Sequence, residues 1–280
     1  MSLMENRLTS FLVRQVIFRH PRLMLFLTKL SAPDEEADIQ IAGAPLRVHK
    51  RQERSYWRAY RRIHETYLEE LLELIISLAT IVEPGDTFID AGANVGMYSS
   101  TLSRLGYLFP TMRFYAIEPH PEAARRLRES VRGRNVTVLN LALADRKGRL
   151  QFREGTSTLT FSAVGGANDF TLPGTGTMVE ASRLDDLDIV GDSIVLKLSV
   201  RGYEREVLVG ASNLMASGRV KAIAVYCEPG DRDLPAELER QGYALFDART
   251  LEPGKAEQML AVRREWLRSA ANGSMPADDT

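Results

Sequence analysis

Apolar residues downstream of residue 86 form short runs that alternate with longer segments in which apolar positions recur at helical spacing. Strands are predicted at 87–89, 114–117, 136–141, 194–198, 222–226, 243–246 and 259–262, and helices at 97–105, 121–131 and 204–214. Alternation of this kind is typical of βα units, which build a mostly parallel sheet with right-handed crossovers and helices on both faces. The pattern therefore predicts an α/β fold.

An N-terminal extension, residues 1–62, precedes this domain, which is expected to span 63–270 and to end in a disordered tail, 271–280. Residues 5–30 predict a basic amphipathic helix broken before Pro21. We expect this helix to pack on the domain or on a second subunit; peripheral contact with a membrane surface is the alternative. An acidic linker at 31–38, a small hairpin around Gly43, a basic and aromatic segment at 50–62 and an apolar helix at 64–82 follow. A solvated helix face is the favoured interpretation of the basic segment, and an acidic substrate is the other.

Composition excludes several classes of protein. The chain has 36 basic and 37 acidic residues, so a nucleic-acid binder relying on overall charge is not expected. Cys227 is the only cysteine, which rules out an intrachain disulfide and a thiolate metal cluster, and no metal site is predicted. No segment reaches the ~18 apolar residues of a membrane span, and the start lacks a signal-peptide pattern. We expect a cytoplasmic protein.

The most informative stretch is 88–96, Phe-Ile-Asp-Ala-Gly-Ala-Asn-Val-Gly, which places an acid and two glycines on the turn after a buried strand. Gly92 and Gly96 permit close backbone approach, and the following helix is expected to present free amides to a ligand. Asp90 can accept hydrogen bonds from a ligand. A dinucleotide site requires G-x-G-x-x-G, but Asn94 and Met97 occupy the second and third glycine positions, which disfavours an NAD-dependent oxidoreductase. A tight turn without a ligand remains the alternative.

Ligands of open α/β sheets bind outside the carboxyl ends of the strands. The residues at those ends are Asp90, Glu118, the segment 140–145, Ser199 and Glu228. Glu118 suits a carboxylate that accepts hydrogen bonds from both ribose hydroxyls of a nucleoside. Its alternative role is to cap the helix that begins near Pro121.

Five motifs occur in the order found in FkbM-type methyltransferases, which this chain resembles over about residues 63–265. They are 90–98 (DAGANVGMY), 117–121 (IEPHP), 140–145 (NLALAD), 181–187 (ASRLDDL) and 196–211 (LKLSVRGYEREVLVGA). The resemblance implies a Rossmann-like class I methyltransferase fold with a seven-stranded sheet of order 3-2-1-4-5-7-6. It also implies S-adenosylmethionine as cofactor and methylation of a hydroxyl on a saccharide, glycolipid or natural product.

By the same resemblance, three groups of residues would hold the cofactor. Asp90, Gly92, Asn94 and Gly96 would line its methionine end, Glu118 would bind the ribose, and Ala142 to Asp145 would line the adenine.

The chain departs from the family at the fourth strand, where Ser199 and Arg201 replace two carboxylates, while Lys197 and Glu204 remain. Lys197, Ser199 and Glu204 are the candidate catalytic residues. A serine can orient a hydroxyl but is a poor base, so Glu204 or Glu228 would accept the proton; a plain helix-start acid is the alternative for Glu204. Arg201 can instead bind a carboxylate or phosphate on the acceptor.

Loss of the acid pair also leaves open a catalytically silent protein that binds S-adenosylmethionine or its product without turnover. The Thr- and Gly-rich stretch 155–177 has the composition of a lid over the site, and a flexible connection is equally compatible with it.

Overall fold

A computed structural model describes residues 33–61, 65–153, 162–163, 176–227 and 232–273. The predicted N-terminal basic helix, Glu228, most of the predicted lid and residues 274–280 lie outside these ranges. None of the described helices combines the length and hydrophobicity needed to cross a membrane.

The described chain begins with an antiparallel hairpin of β1 (Glu36–Ile41) and β2 (Ala44–His49). Ala42 and Gly43 join the strands with φ of 50° and 75°, the two left-handed positions that a tight hairpin turn requires. The hairpin prediction is confirmed. The predicted linker extended too far, because β1 already begins at Glu36.

Two helices, α1 (Arg54–Tyr60) and α2 (Glu65–Ile81), lead from the hairpin to the first central strand, β3 (Thr87–Ala91). The expected solvated face of α1 is only partly correct, because Arg54 and Arg58 on this helix are half-buried. Apolar residues of the hairpin, α1 and α2 share one hydrophobic core with Phe88 of β3. The described part of the extension is thus packed against one face of the central sheet.

The remaining elements include the strands of the central sheet that the pattern predicts, together with elements that it does not predict, among them the helices at 233–240 and 264–273. They are α3 (Met97–Leu102), β4 (Arg113–Ile117), α4 (Pro121–Ser130), β5 (Val136–Leu139), β6 (Ala142–Leu143), β7 (Gly148–Arg153), β8 (Ser162–Ala163), β9 (Gly176–Ser182), β10 (Ile194–Leu198), α5 (Glu204–Val209), α6 (Ser212–Ala216), β11 (Val220–Tyr226), α7 (Asp233–Arg240), β12 (Tyr243–Asp247), β13 (Gln258–Arg263) and α8 (Arg264–Gly273). Helix α8 runs into the segment that was assigned to the disordered tail.

The seven-stranded central sheet has the order β5-β4-β3-β10-β11-β13-β12. Counted along the chain, this is 3-2-1-4-5-7-6, the order that the resemblance implies. The strand β13 is antiparallel to both of its neighbours, β11 and β12, and the other pairs in this sheet are parallel. Every residue of β3 and β10 is buried, as expected for central parallel strands covered on both faces.

A second sheet, of order β6-β9-β7-β8, was not predicted. The predicted strand 136–141 ends at Leu139, and the chain then turns so that Ala142 pairs with Ala181 of β9. The predicted helix 204–214 is also wrong: α5 and α6 are separate helices. Between them, Gly210 contacts the chain beside β6 so closely that a Cβ at this position would lie 2.0 Å from the carbonyl oxygen of Ala144.

A buried ion-pair network holds the extension on α4. Arg126 of α4 has a side chain that is 2% exposed, and its Nη2 lies 2.9 Å from Oε1 of Glu53, which is fully buried just before α1. Its Nη1 lies 3.3 Å from Oε1 of Glu36 in β1. A buried guanidinium needs such partners, so the position of α1 depends on them.

Candidate active site

Asp90 is completely buried at the end of β3, and protein groups contact both of its carboxylate oxygens. Ser99 at the start of α3 donates to Oδ2 from its amide at 3.1 Å and from its hydroxyl at 2.6 Å. Oδ1 lies 3.0 Å from Nζ of Lys197, which faces Asp90 in the neighbouring strand β10. Asp90 therefore lies behind the glycine turn and lines neither of the cavities described below.

Lys197 joins the strand to the turn. Its buried ammonium donates to the carbonyl oxygen of Gly92 at 3.0 Å and lies 4.9 Å from the centroid of the Tyr98 ring. An ammonium has only donors, and this one is already engaged by Asp90 and by the carbonyl oxygen of Gly92. This geometry suits Lys197 for holding the turn and does not suit it for accepting a proton.

The glycines of the turn are required by packing. Gly92 has φ of 72°, and a Cβ there would lie 2.0 Å from the carbonyl oxygen of Ser199. Gly96 has φ of 90°, and a Cβ there would lie 2.5 Å from Cδ1 of Leu127 in α4. At Gly92 backbone atoms fill the space that a side chain would need, whereas at Gly96 the end of the Leu127 side chain would have to move; both positions also have a left-handed φ that favours glycine.

The amides of the turn itself, at residues 92–94, all donate to protein groups. The amides of Gly92 and Ala93 donate to the carbonyl oxygen of Ile117 at 2.9 and 3.0 Å. The amide of Asn94, whose φ is 48°, donates to Oε2 of Glu118 at 2.7 Å. The turn is thereby tied to the end of β4, and the carboxylate of Glu118 is part of that connection.

Glu118 is 5% exposed and follows β4. Its Oε1 accepts from the amide of His120 at 2.8 Å, and burial raises the pKa of its carboxyl to about 7 against the opposing effects of these amides and of Lys197. His120 is itself the N-cap of α4, with Nδ1 accepting from the amides of Glu122 and Ala123. Each carboxylate oxygen of Glu118 has one backbone donor and a second lone pair, so ligand hydroxyls can still donate to it.

Two cavities adjoin the turn, one on each side. The smaller, of about 70 Å³, has Glu118 at one wall and apolar side chains around it: Ile117, Leu141, Leu143 and Phe152. The larger, of about 340 Å³, lies toward α1 and α2 and is lined by aromatic and polar side chains, among them Tyr56, Glu70, Tyr98, Glu204, Tyr226 and Gln258. Gly92, Asn94, Ser199 and Arg201 line both cavities. These four shared residues mark the junction between them.

The segment after β10 crosses this junction. The amide of Ser199 donates to the carbonyl oxygen of Ala91 at 3.1 Å, which extends the pairing of β10 with β3. Arg201 and Gly202 then have φ of 59° and 84°, both left-handed. This turn leads directly into α5, whose first residue is Glu204.

Glu204 is half-buried at the start of α5 and lines the larger cavity. Its Oε1 accepts from the amide of Val200 at 3.0 Å. Burial raises the pKa of its carboxyl, while backbone amides and the charge of Arg201 act in the opposite direction. A carboxylate with a raised pKa is a stronger base than a carboxylate with an ordinary pKa. The position of Glu204 at the start of a helix is therefore compatible with a role in proton transfer.

The structure brings some of the predicted site residues to the cavity walls and places others elsewhere. Gly92, Asn94, Glu118, Ala142, Ser199, Lys197 and Glu204 line one or both cavities. Asp90 lies behind the turn, and Gly96 belongs to the turn but lines neither cavity. Asp145 lines neither cavity and pairs with Arg146 at 3.3 Å. The pKa of Tyr203 is raised mainly by burial, then by the charge of Glu206 and then by that of Asp145.

Sequence reasoning missed several residues of the site. They are Ser99 and Tyr98 on α3, Phe152 on β7, Tyr56 on α1 and Tyr226 on β11. The sequence feature that points to Tyr56 is its position in the basic and aromatic segment 50–62. Phe152 had none, because the small sheet that carries it was not predicted.

Comparison with known families gives the decisive finding. Residues 90–245 match the model of the methyltransferase FkbM domain, which is more than half of the chain. The chain belongs to this family. Its members are S-adenosylmethionine-dependent methyltransferases, so this FkbM methyltransferase uses S-adenosylmethionine as cofactor. No curated protein matches the sequence.

Several solved structures resemble this FkbM methyltransferase. A TehB-like SAM-dependent methyltransferase from Corynebacterium glutamicum has 12% identity and a TM-score of 0.41, with 75% of this chain and 95% of that chain covered. Precorrin-6y C5,15-methyltransferase from Geobacter metallireducens has 17% identity and a TM-score of 0.38, covering 68% and 87%. The plantazolicin methyltransferase BpumL in complex with SAH has 10% identity and a TM-score of 0.38, covering 86% and 94%.

The residues around the smaller cavity have the chemistry that the adenosyl half of this cofactor would need. Leu141, Leu143 and Phe152 offer an apolar surface for a purine, and the buried carboxyl of Glu118 offers acceptors for ribose hydroxyls. The junction at Gly92 and Asn94 is then where the methionine end would lie. Because Ser199 and Arg201 stand there in place of acids, this FkbM methyltransferase has no carboxylate of its own at those two positions to balance a sulfonium charge.

Proposed function

We propose that this protein transfers the methyl group of S-adenosylmethionine to a hydroxyl of a saccharide-like acceptor bound in the larger cavity. One observation carries the proposal: a cavity with aromatic and polar walls meets the proposed cofactor cavity at four shared residues. A methyl group held at this junction would be next to the larger cavity. The acceptor is thus a saccharide, a glycolipid or a natural product that presents a hydroxylated ring.

The walls of the larger cavity support this class of acceptor. Tyr56 is 3% exposed and Tyr226 is 37% exposed, so the aromatic surface extends from the interior to the rim. Glu70 and Gln258 add hydrogen-bonding groups that match ring hydroxyls. A few polar groups set among aromatic side chains can orient a small ring, and orientation is what methyl transfer needs most.

Glu204 is the proposed proton acceptor. The cofactor supplies an electrophilic methyl on a sulfonium, so the protein has to align the acceptor oxygen with it and remove one proton. Glu204 lines the larger cavity and has a raised pKa, whereas Lys197 is paired with Asp90. We assign Ser199, at the junction, to orienting the hydroxyl. General-base help of this kind contributes typically ~10²- to 10⁴-fold in rate.

The test is release of S-adenosylhomocysteine from S-adenosylmethionine in the presence of a panel of glycosides and glycolipids. Glu204→Gln is expected to lower kcat by at least about tenfold with little change in cofactor affinity. Glu206→Gln is the matched control, because it changes the same chemistry on the same helix outside both cavities. Equal activity of the two variants would remove Glu204 from the mechanism.

Loss of the two family acids supports a second candidate, a silent protein that binds the cofactor without turnover. The variant Ser199→Asp with Arg201→Glu restores the family residues at both positions. If the wild type binds S-adenosylhomocysteine, methylates nothing in the panel, and the double variant gains activity, the silent function replaces the first proposal. Turnover by the wild type eliminates the silent function.

A further inference from the structure

Arg201 occupies the junction in a conformation that is unfavourable for its residue type. Its φ of 59° is left-handed, and a non-glycine residue there stores backbone strain. The next residue, Gly202, has φ of 84° and carries no such cost. A glycine at 201 would adopt the same turn with less strain, so the turn itself does not explain an arginine at this position.

The charges around the junction leave the positive charge of Arg201 available. Lys197 is neutralised by Asp90 at 3.0 Å, and the carboxylate of Glu204 already accepts from the amide of Val200. Arg201 lies near enough to Glu204 to influence its titration, yet no described carboxylate forms an ion pair with the guanidinium. The side chain is exposed and lines both cavities.

We propose that the acceptor carries an anionic group, a carboxylate or a phosphate, beside the hydroxyl that is methylated, and that Arg201 binds this group. The inference rests on the proposed function, because it identifies the class of acceptor for the same cavity. A guanidinium binds either group through two parallel hydrogen bonds, which fixes orientation as well as affinity. Binding at the junction would hold the neighbouring hydroxyl next to the methyl group.

The arrangement also accounts for the departure from the family pattern. An acid at position 201 would repel an anionic acceptor, whereas an arginine attracts it. Glu204, at the start of the helix that follows this turn, still provides a carboxylate in the larger cavity to receive the proton. Replacing the acid at 201 by an arginine therefore changes which acceptors are favoured. Arg201 is a specificity-determining residue in this scheme.

Calorimetry on the full chain saturated with S-adenosylhomocysteine tests the proposal. The probes are methyl β-D-glucuronide, glucose 6-phosphate and neutral methyl β-D-glucoside. One of the two anionic sugars is expected to bind at least about tenfold more tightly than the glucoside. Tighter binding of the glucuronide would identify the anionic group as a carboxylate, and tighter binding of glucose 6-phosphate would identify it as a phosphate. Arg201→Gly should abolish that preference, and Arg201→Lys should retain only part of it.

Arg205→Gln is the matched control, since Arg205 is an exposed arginine on α5 that lines neither cavity. It should keep the preference for the anionic sugar. Thermal unfolding of each variant checks that the fold is intact. No preference in the wild type, or a preference that survives Arg201→Gly, overturns the inference. If that inference fails but the protein methylates neutral glycosides, the proposed function still holds. If the protein prefers an anionic sugar through Arg201 but transfers no methyl group, the anion site is supported and the proposed function is rejected.

Discussion

Gly92→Ala should destabilise the protein strongly, because two independent costs meet at this position. Alanine at φ of 72° costs about 1–2 kcal/mol as a left-handed residue. Its Cβ would also lie 2.0 Å from the carbonyl oxygen of Ser199, so the end of β3 or of β10 must move. Overpacking of this kind costs typically ~1–3 kcal/mol, and the reduced freedom of the unfolded chain returns ~0.4–1 kcal/mol.

The net loss is expected to be about 2–4 kcal/mol, or roughly 5–15 °C in Tm for a chain of this length. Gly133→Ala is the matched control, because Gly133 has φ of 75° and nothing lies within 4 Å of the added Cβ. The control carries the backbone cost alone. Thermal and urea unfolding measure both variants, and the excess loss in Gly92→Ala reports the contact with Ser199.

The same substitution should weaken binding of S-adenosylhomocysteine, since Gly92 and Ser199 line both cavities. Calorimetry on the folded fraction measures this effect, and Gly133→Ala should bind normally. If Gly92→Ala and Gly133→Ala lose the same stability, the close approach of β10 to the glycine turn is refuted. The account of the junction would then fail with it.

Three further predictions concern charged groups. Burial raises the pKa of Glu118 to about 7, and ribose hydroxyls favour its ionised form, so affinity for S-adenosylhomocysteine should fall as pH decreases through about 7, by up to ~10-fold per pH unit. Calorimetry across this range checks it: Glu118→Gln should bind weakly at every pH, and a flat wild-type profile would contradict the linkage. Asp90→Asn leaves the buried ammonium of Lys197 without its counter-charge and should cost about 3–5 kcal/mol of unfolding free energy. Adding Lys197→Met should recover part of that loss, and no recovery in urea unfolding would mean that the pair is not coupled. Arg126→Met breaks the buried ion pairs that hold α1 and should cost about 3–5 kcal/mol, while Arg125→Met, whose side chain is 41% exposed, should cost below about 1 kcal/mol. Equal Tm values for these two variants would show that the buried network contributes nothing special.

Local pattern was sufficient for much of the fold. Strands of the central sheet lie close to the predicted places, and the hairpin around Gly43 has the predicted form. These features depend on hydrophobic period and on turn residues, which act over a few positions. The small second sheet escaped prediction because the chain segments that pair in it, such as Ala142 with Ala181, are far apart along the sequence.

The site shows the same division. The motif around residues 90–96 and the acid at 118 predict a site at the turn and the next strand end, because the carboxyl ends of parallel strands meet there. In the structure two cavities adjoin this turn, and Glu118 lines one of them. Spacing alone could not show that Ser99 and Lys197 occupy the oxygens of Asp90. Lys197 and Asp90 are separated by more than a hundred residues along the chain. They meet only because β3 and β10 are neighbouring strands and these two residues are in register.

The sequence by itself determined the strand and helix types, the glycine turn and the identity of the residues that replace the family acids. Tertiary structure alone decided that Gly92 is required by the carbonyl oxygen of Ser199, that Gly210 ends a helix beside Ala144, and that Arg201 faces two cavities. The physical reason is that propensity and turn chemistry are local, whereas close packing, ion pairing and cavity shape depend on which distant segments the sheet brings together.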